Sequence, residues 1–198
     1  MRYTIQGADC RLSVAVYNES ATKTLVVLHG MRDHGGSFEW LVPLLADFRV
    51  IIPDLRGHGL SDQNGVYTLT HFTADLLQVF DAFQVEQGYL LGHSLGGHVA
   101  ARFAALFGDR LIGLVLVDGF GPPRQQARLN VEQIALLQAA QVQALQYAGR
   151  SRKIMTDAAF AVARYQTNNP RLDGAIAARL AKQGIAPAAA GGVSWRWD

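Results

Sequence analysis

The sequence predicts an α/β fold, a mostly parallel sheet flanked by helices, and three observations carry that expectation. Thr24–Leu28, Arg49–Pro53 and Leu111–Val117 are short, nearly continuous apolar runs, the pattern of strands covered on both faces. Segments of helical period alternate with them, which calls for parallel strands joined by crossover helices. Each run stops abruptly at small or polar residues, His29-Gly30, Asp54 and Asp118-Gly119.

The elements follow in order. Tyr3–Gln6 and Arg11–Tyr17 alternate at strand period around Gly7-Ala8-Asp9 and read as a hairpin with one half-wet face. After the Thr24–Leu28 strand, Met31–Gly36 is a polar, glycine-rich loop, and Ser37 is placed to cap a short helix through Leu45 that must start or kink at Pro43. Arg49–Pro53 leads into Arg56-Gly57-His58-Gly59-Leu60-Ser61-Asp62, a loop by composition. Thr70 is placed to cap a helix to about Phe83, in which Phe72, Leu76, Val79, Phe80 and Phe83 share a face. Gly88–Leu91 is the next strand and Leu95–Phe107 the next helix, with Gly108 at the end where left-handed backbone is common.

Leu111–Val117 is the last buried strand expected. Beyond it, Asn130 and Gln133 form a capping box for a helix to about Ala148, which Gly149 stops. Asp157–Tyr165 and Gly174–Lys182 are shorter helices, broken by Asn168-Asn169-Pro170 and by Gly184. The expected division is a core over residues 1–120 and a helical cap over 121–198, a lid above the strand ends where open α/β sheets take their ligands.

Composition narrows the function. A 198-residue chain with 49% hydrophobic and 17% charged residues fits one apolar, globular domain, or one domain with a small appendage. A net charge of +2 with scattered arginines gives no footprint for nucleic acid or an acidic membrane. No run reaches the roughly 18 apolar residues of a membrane span, and the first ten residues lack a signal-peptide core, so the expectation is a cytoplasmic protein. The single Cys10 excludes an internal disulfide and a multi-cysteine metal site; no metal and no cofactor are expected.

The chemistry centres on Gly92-His93-Ser94-Leu95-Gly96, a G-x-S-x-G between an apolar strand and an alanine-rich helix. That context is what a nucleophile elbow requires, a serine on a sharp strand-to-helix turn with no room for flanking β-carbons. Around it stand His29-Gly30 after the third strand, Asp54-Leu55-Arg56-Gly57-His58-Gly59-Leu60-Ser61 after the fourth, and Leu114–Asp118 in the sixth. In this order and spacing the chain resembles the N-terminal part of an α/β-hydrolase-fold protein, of the esterase, lactonase and C–C hydrolase branch that carries a helical cap.

The resemblance implies Ser94 as nucleophile and an oxyanion hole made of the Leu95 N–H and the Met31 N–H, with Gly30 letting the backbone approach the reacting carbonyl. It implies a small-molecule acyl substrate, an ester, thioester or lactone, contacted by Gly30, His93 and Phe120. The family order is serine, acid, histidine, yet no histidine follows His98. His29 and His58 read as structural, His34 and His71 as solvated, and His98 sits on a helix from which the serine projects away. The usual acid and base would follow a seventh and an eighth strand beyond Asp198; Asp118 is the one variant acid, or else a pocket-lining residue. The expectation is an incomplete, nearly inert hydrolase whose strand Leu111–Val117 is a bare edge prone to self-association. A non-catalytic chain binding a small apolar ligand under the lid is the alternative.

Overall fold

The computed structural model describes residues 1–119, 130–133, 135, 136, 139, 143 and 154–197. Its main sheet has six strands: β1 (Arg2–Gln6), β2 (Arg11–Tyr17), β3 (Lys23–Leu28), β4 (Phe48–Pro53), β5 (Gly88–His93) and β6 (Leu111–Val117), in the order β1-β2-β4-β3-β5-β6. β3 runs parallel to β4 and β5, and β5 parallel to β6, while β2 is antiparallel to both β1 and β4. From β3 the chain goes first to one side, to β4, and then crosses to the other, to β5. Such a reversal opens a crevice between the carboxyl ends of β3 and β5, and both of the loops singled out above issue there.

The sheet is covered on both faces. On one side α1 (Leu69–Ala82) and α2 (Leu95–Leu106) set Phe72, Leu76, Val79, Phe80, Val99 and Phe103 against Val14, Val26, Ile51 and Leu90. The Phe80 and Phe103 rings, both fully buried, lie 4.8 Å apart; burying each stabilises the fold by roughly 1.5–3 kcal/mol. On the other side Phe38, Val42 and Leu45 close over Leu25, Val27, Val50 and Ile52. Arg56, fully buried, clamps the layers, bidentate to Asp75 of α1 at 2.6 and 2.8 Å and 2.7 Å from Asp9 in the hairpin turn.

Several local expectations are corrected. Thr68, not Thr70, caps α1, its hydroxyl accepting the His71 N–H, because the helix starts one turn ahead of the apolar stripe. In place of a helix capped by Ser37 there are two 3₁₀ turns, Gly35–Phe38 and Val42–Leu44, the first capped by His34. Gly108 opens another 3₁₀ turn with a negative φ, so it does not act as a left-handed cap. β2 is buried on both faces, since it lies inside the sheet between β1 and β4.

Beyond the core, Asn130 and Gln133 exchange the reciprocal backbone bonds of a capping box at 2.9 and 3.0 Å. The rest of that expected helix lies largely outside the described residues. α3 (Ala158–Asn168), capped by Asp157, packs on α4 (Gly174–Gly184), capped by Asp173. A short antiparallel hairpin, β7 (Ile185–Pro187) with β8 (Val193–Trp195), follows; three-residue strands leave too little alternation to be read from sequence. α4 is tied to the core by the His34–Leu180 hydrogen bond, by Glu39 with Arg179 and Gln183, and by Arg179 over the Trp40 ring. No helix among the described residues is long and apolar enough to cross a membrane.

Among the described residues, β6 is paired on one side only. Ile112 and Val115 are 56% and 50% exposed, so this continuously apolar strand lies at the sheet's edge, as its sequence led one to expect.

Candidate active site

Ser94 sits where β5 becomes α2, at φ 50 and ψ −116, a region that a residue with a β-carbon occupies only when the surroundings impose it. Three bonds impose it here. The Ser94 N–H donates to the Val117 carbonyl at 3.0 Å, the Gly96 N–H to the His29 carbonyl at 3.1 Å, and the Gly97 N–H to the Ser94 carbonyl at 2.9 Å. The glycines answer to close approach: a β-carbon on Gly92 would strike the Gly96 carbonyl, and one on Gly96 the Leu28 carbonyl.

The loop after β3 meets the elbow directly. A β-carbon on Gly30 would stand 3.2 Å from the Ser94 β-carbon and 3.1 Å from His93 Nδ1. His93 therefore turns its ring to the Gly30 side of the turn, and Gly30, His93 and Ser94 form one cluster. Leu95 opens α2, so its N–H has no intrahelical acceptor. The Met31 N–H likewise has no acceptor among the described residues. Met31 itself is exposed. Leu95, next to Ser94, and Met31, next to Gly30, thus each carry a backbone donor without an acceptor among the described residues.

No described side chain hydrogen-bonds the Ser94 hydroxyl, and the histidines show why. His29, fully buried, donates from Nδ1 to the Gly30 carbonyl at 2.8 Å and accepts the Leu55 N–H at Nε2 at 2.9 Å. Burial, then the neighbouring His58 ring at 5.3 Å, depress its pKa to about 4, so it is a neutral structural ring. His58 accepts the Arg32 N–H at Nε2 and bonds the Arg56 carbonyl through Nδ1. His34, expected to be solvated, is 3% exposed: Nδ1 accepts the Gly36 N–H and Nε2 donates to the Leu180 carbonyl. His71 pairs with Thr68 and His98 is exposed on α2.

Asp118 follows β6 at φ 49 and is exposed. Phe120 lies outside the described residues. The sequence assigned no role to Asp54, which is buried and takes the Gly35 N–H on one oxygen at 2.7 Å and the Leu60 N–H and Arg2 on the other at 3.0 and 3.2 Å. It ties the loops after β3 and β4 to the first strand. The signal was its place one residue past a buried strand, where a carboxylate can answer loop donors.

A family model described as alpha/beta hydrolase fold matches residues 23–181. The chain is 37% identical over 110 residues to a serine hydrolase-like protein of Danio rerio, a match covering 54% of this chain and 34% of that protein. It is 30% identical over 123 residues to esterase YbfF of Escherichia coli, covering 62% of this chain and 48% of the relative. The thioesterase domain from the curacin biosynthetic pathway superposes with a TM-score of 0.85 at 24% identity, over all of this chain and 70% of that domain. The chain thus spans less than half the length of these two curated relatives.

Proposed function

Because the chain belongs to the α/β-hydrolase fold family, we propose that it is a serine acyl hydrolase whose proton acceptor these 198 residues do not supply. In this reading the Ser94 hydroxyl adds to the carbonyl carbon of an ester, thioester or lactone. The Leu95 and Met31 N–H groups hold the alkoxide that forms, the alcohol or thiol leaves with the serine's proton, and water releases the acid. Two such donors lower the barrier by roughly 3 kcal/mol each. The observation that carries the reading is the meeting of a left-handed Ser94 with Gly30 against its β-carbon, while the N–H groups of their neighbours Leu95 and Met31 have no acceptors among the described residues. The names of the Danio rerio relative, the esterase and the thioesterase domain agree with acyl chemistry.

The reading includes a core over residues 1–120, a cap over 121–198, and pairing between copies at β6. Asp118 has no described imidazole to orient, so it does not take the acid's role in this reading. Without a base, turnover falls by about a millionfold while binding and the oxyanion donors still act. Chemical rescue tests this. With 4-nitrophenyl butyrate the chain alone is expected to match Ser94→Ala, and added imidazole is expected to raise hydrolysis by the wild type only. No gain over Ser94→Ala with imidazole would remove Ser94 as nucleophile; full Ser94-dependent turnover without it would remove the missing base.

A second reading, a non-catalytic binder of a small apolar ligand, is favoured by one observation. An open cleft of about 500 Å³ lies between α3, α4 and the β7–β8 hairpin, lined by Ala158, Val162, Ala178, Ile185 and Val193, with Lys182 and Arg196 beside them.

A further inference from the structure

The Met31 peptide is held on both sides by buried histidines. The Met31 N–H belongs to the same planar, trans peptide as the Gly30 carbonyl, and that carbonyl accepts from His29 Nδ1 at 2.8 Å. Anchoring the oxygen points the N–H the opposite way. The next peptide is anchored too, because the Arg32 N–H donates to His58 Nε2 at 3.1 Å. Arg32 needs that anchor: it is a non-glycine residue at φ 59, a conformation L-residues adopt only when held.

His58 is built to hold it. The residue is buried, at 7% exposure, and Nδ1 is 2.9 Å from the Arg56 carbonyl, which can only accept. The proton therefore sits on Nδ1 and Nε2 is left as an acceptor. The residue's own backbone is fixed as well, its N–H on the Leu55 carbonyl and its carbonyl on the Ser61 N–H. The loop carrying it is pinned by Asp54, which also takes the Gly35 N–H at the far end of the Met31–Gly36 segment. The loop after β4 thus serves as a template for the loop after β3.

We propose that His58 is a positioning residue for acyl transfer: by accepting the Arg32 N–H it fixes the peptide after Met31 and keeps the Met31 N–H aimed at the oxyanion of the Ser94 adduct. The claim rests on the reading of Met31 as an oxyanion donor. Its test reads the direction of an N–H bond and not the reactivity of Ser94, so the two can fail separately.

The experiment uses the ¹⁵N-labelled chain. In the wild type at neutral pH, His58 Nε2 is expected to give the ¹⁵N shift of an unprotonated, hydrogen-bonded nitrogen, and a proton on Nε2 overturns the proposal without any variant. In His58→Ala, the Arg32 amide is expected to exchange at least roughly tenfold faster. The residual dipolar coupling of the Met31 N–H should move while that of Leu95 stays. His58→Gln, which offers a carbonyl acceptor, should restore both in part, an outcome that a purely space-filling ring does not produce. Unchanged Arg32 exchange, or an unchanged Met31 coupling beside fast Arg32 exchange, overturns the proposal.

Discussion

The Nε2 atom of His34 and the carbonyl oxygen of Leu180 lie 3.2 Å apart, joining residues 146 positions distant in the chain. The same ring accepts the Gly36 N–H through Nδ1, so α4 is bonded through one imidazole to the segment that carries Met31. His34→Ala leaves the Leu180 carbonyl and the Gly36 N–H without their partner, a loss of about 1–3 kcal/mol. The expected outcome is faster hydrogen exchange across α4 with α1 and α2 unchanged; equal protection in wild type and variant would mean that α4 is held elsewhere.

Arg56 and Asp75 form a buried charged pair, and removing one member strands the other. Arg56→Ala is expected to destabilise the fold by about 3–5 kcal/mol in urea unfolding. Arg56→Met with Asp75→Leu should recover much of that loss, because a paired apolar replacement leaves no buried charge behind.

Ser94 holds its backbone at φ 50 against its own β-carbon. Ser94→Gly is expected to raise stability by about 1 kcal/mol relative to Ser94→Ala, since glycine adopts that conformation without strain. Equal midpoints for the two variants would show the turn to be unstrained.

His29 carries a linkage prediction. Its folded pKa, about 4, lies below the 6.5 of an unperturbed histidine, so between those values the unfolded chain binds the extra proton. The stabilisation is fully present above pH 6.5 and is lost as pH falls towards and through about 4. Unfolding midpoints should therefore drop from pH 7.5 to pH 4.5, with a shallower fall in His29→Gln; parallel pH profiles would assign the acid loss to other groups.

The exposed β6 edge predicts concentration-dependent association above the 21.5 kDa monomer in light scattering. Ile112→Lys with Val115→Lys should return the monomer, because a charge on an edge opposes strand pairing. A monomeric wild type at high concentration would leave the edge without a partner of its own kind.

Much of this molecule was legible in one dimension. Continuous apolar runs located β3, β4 and β6, the Phe72–Phe80 stripe located α1, and G-x-S-x-G located the turn, because period and glycine spacing are local consequences of backbone sterics. Caps and strand ends were misplaced by a residue or two where several hydroxyl or carboxylate residues compete for the same orphan N–H groups, as Thr68 and Thr70 do. What only the tertiary structure decided is which partner each histidine takes. His29, His34, His58 and His98 share one side chain and differ in their neighbours. Burial beside Gly30 makes the first a neutral brace, Leu180 makes the second a tie to α4, and the Arg32 N–H makes the third an anchor. The fourth is left in solvent. A ring nitrogen's role is set by the donor or acceptor that faces it, and those partners come from loops and helices brought together only when the sheet closes.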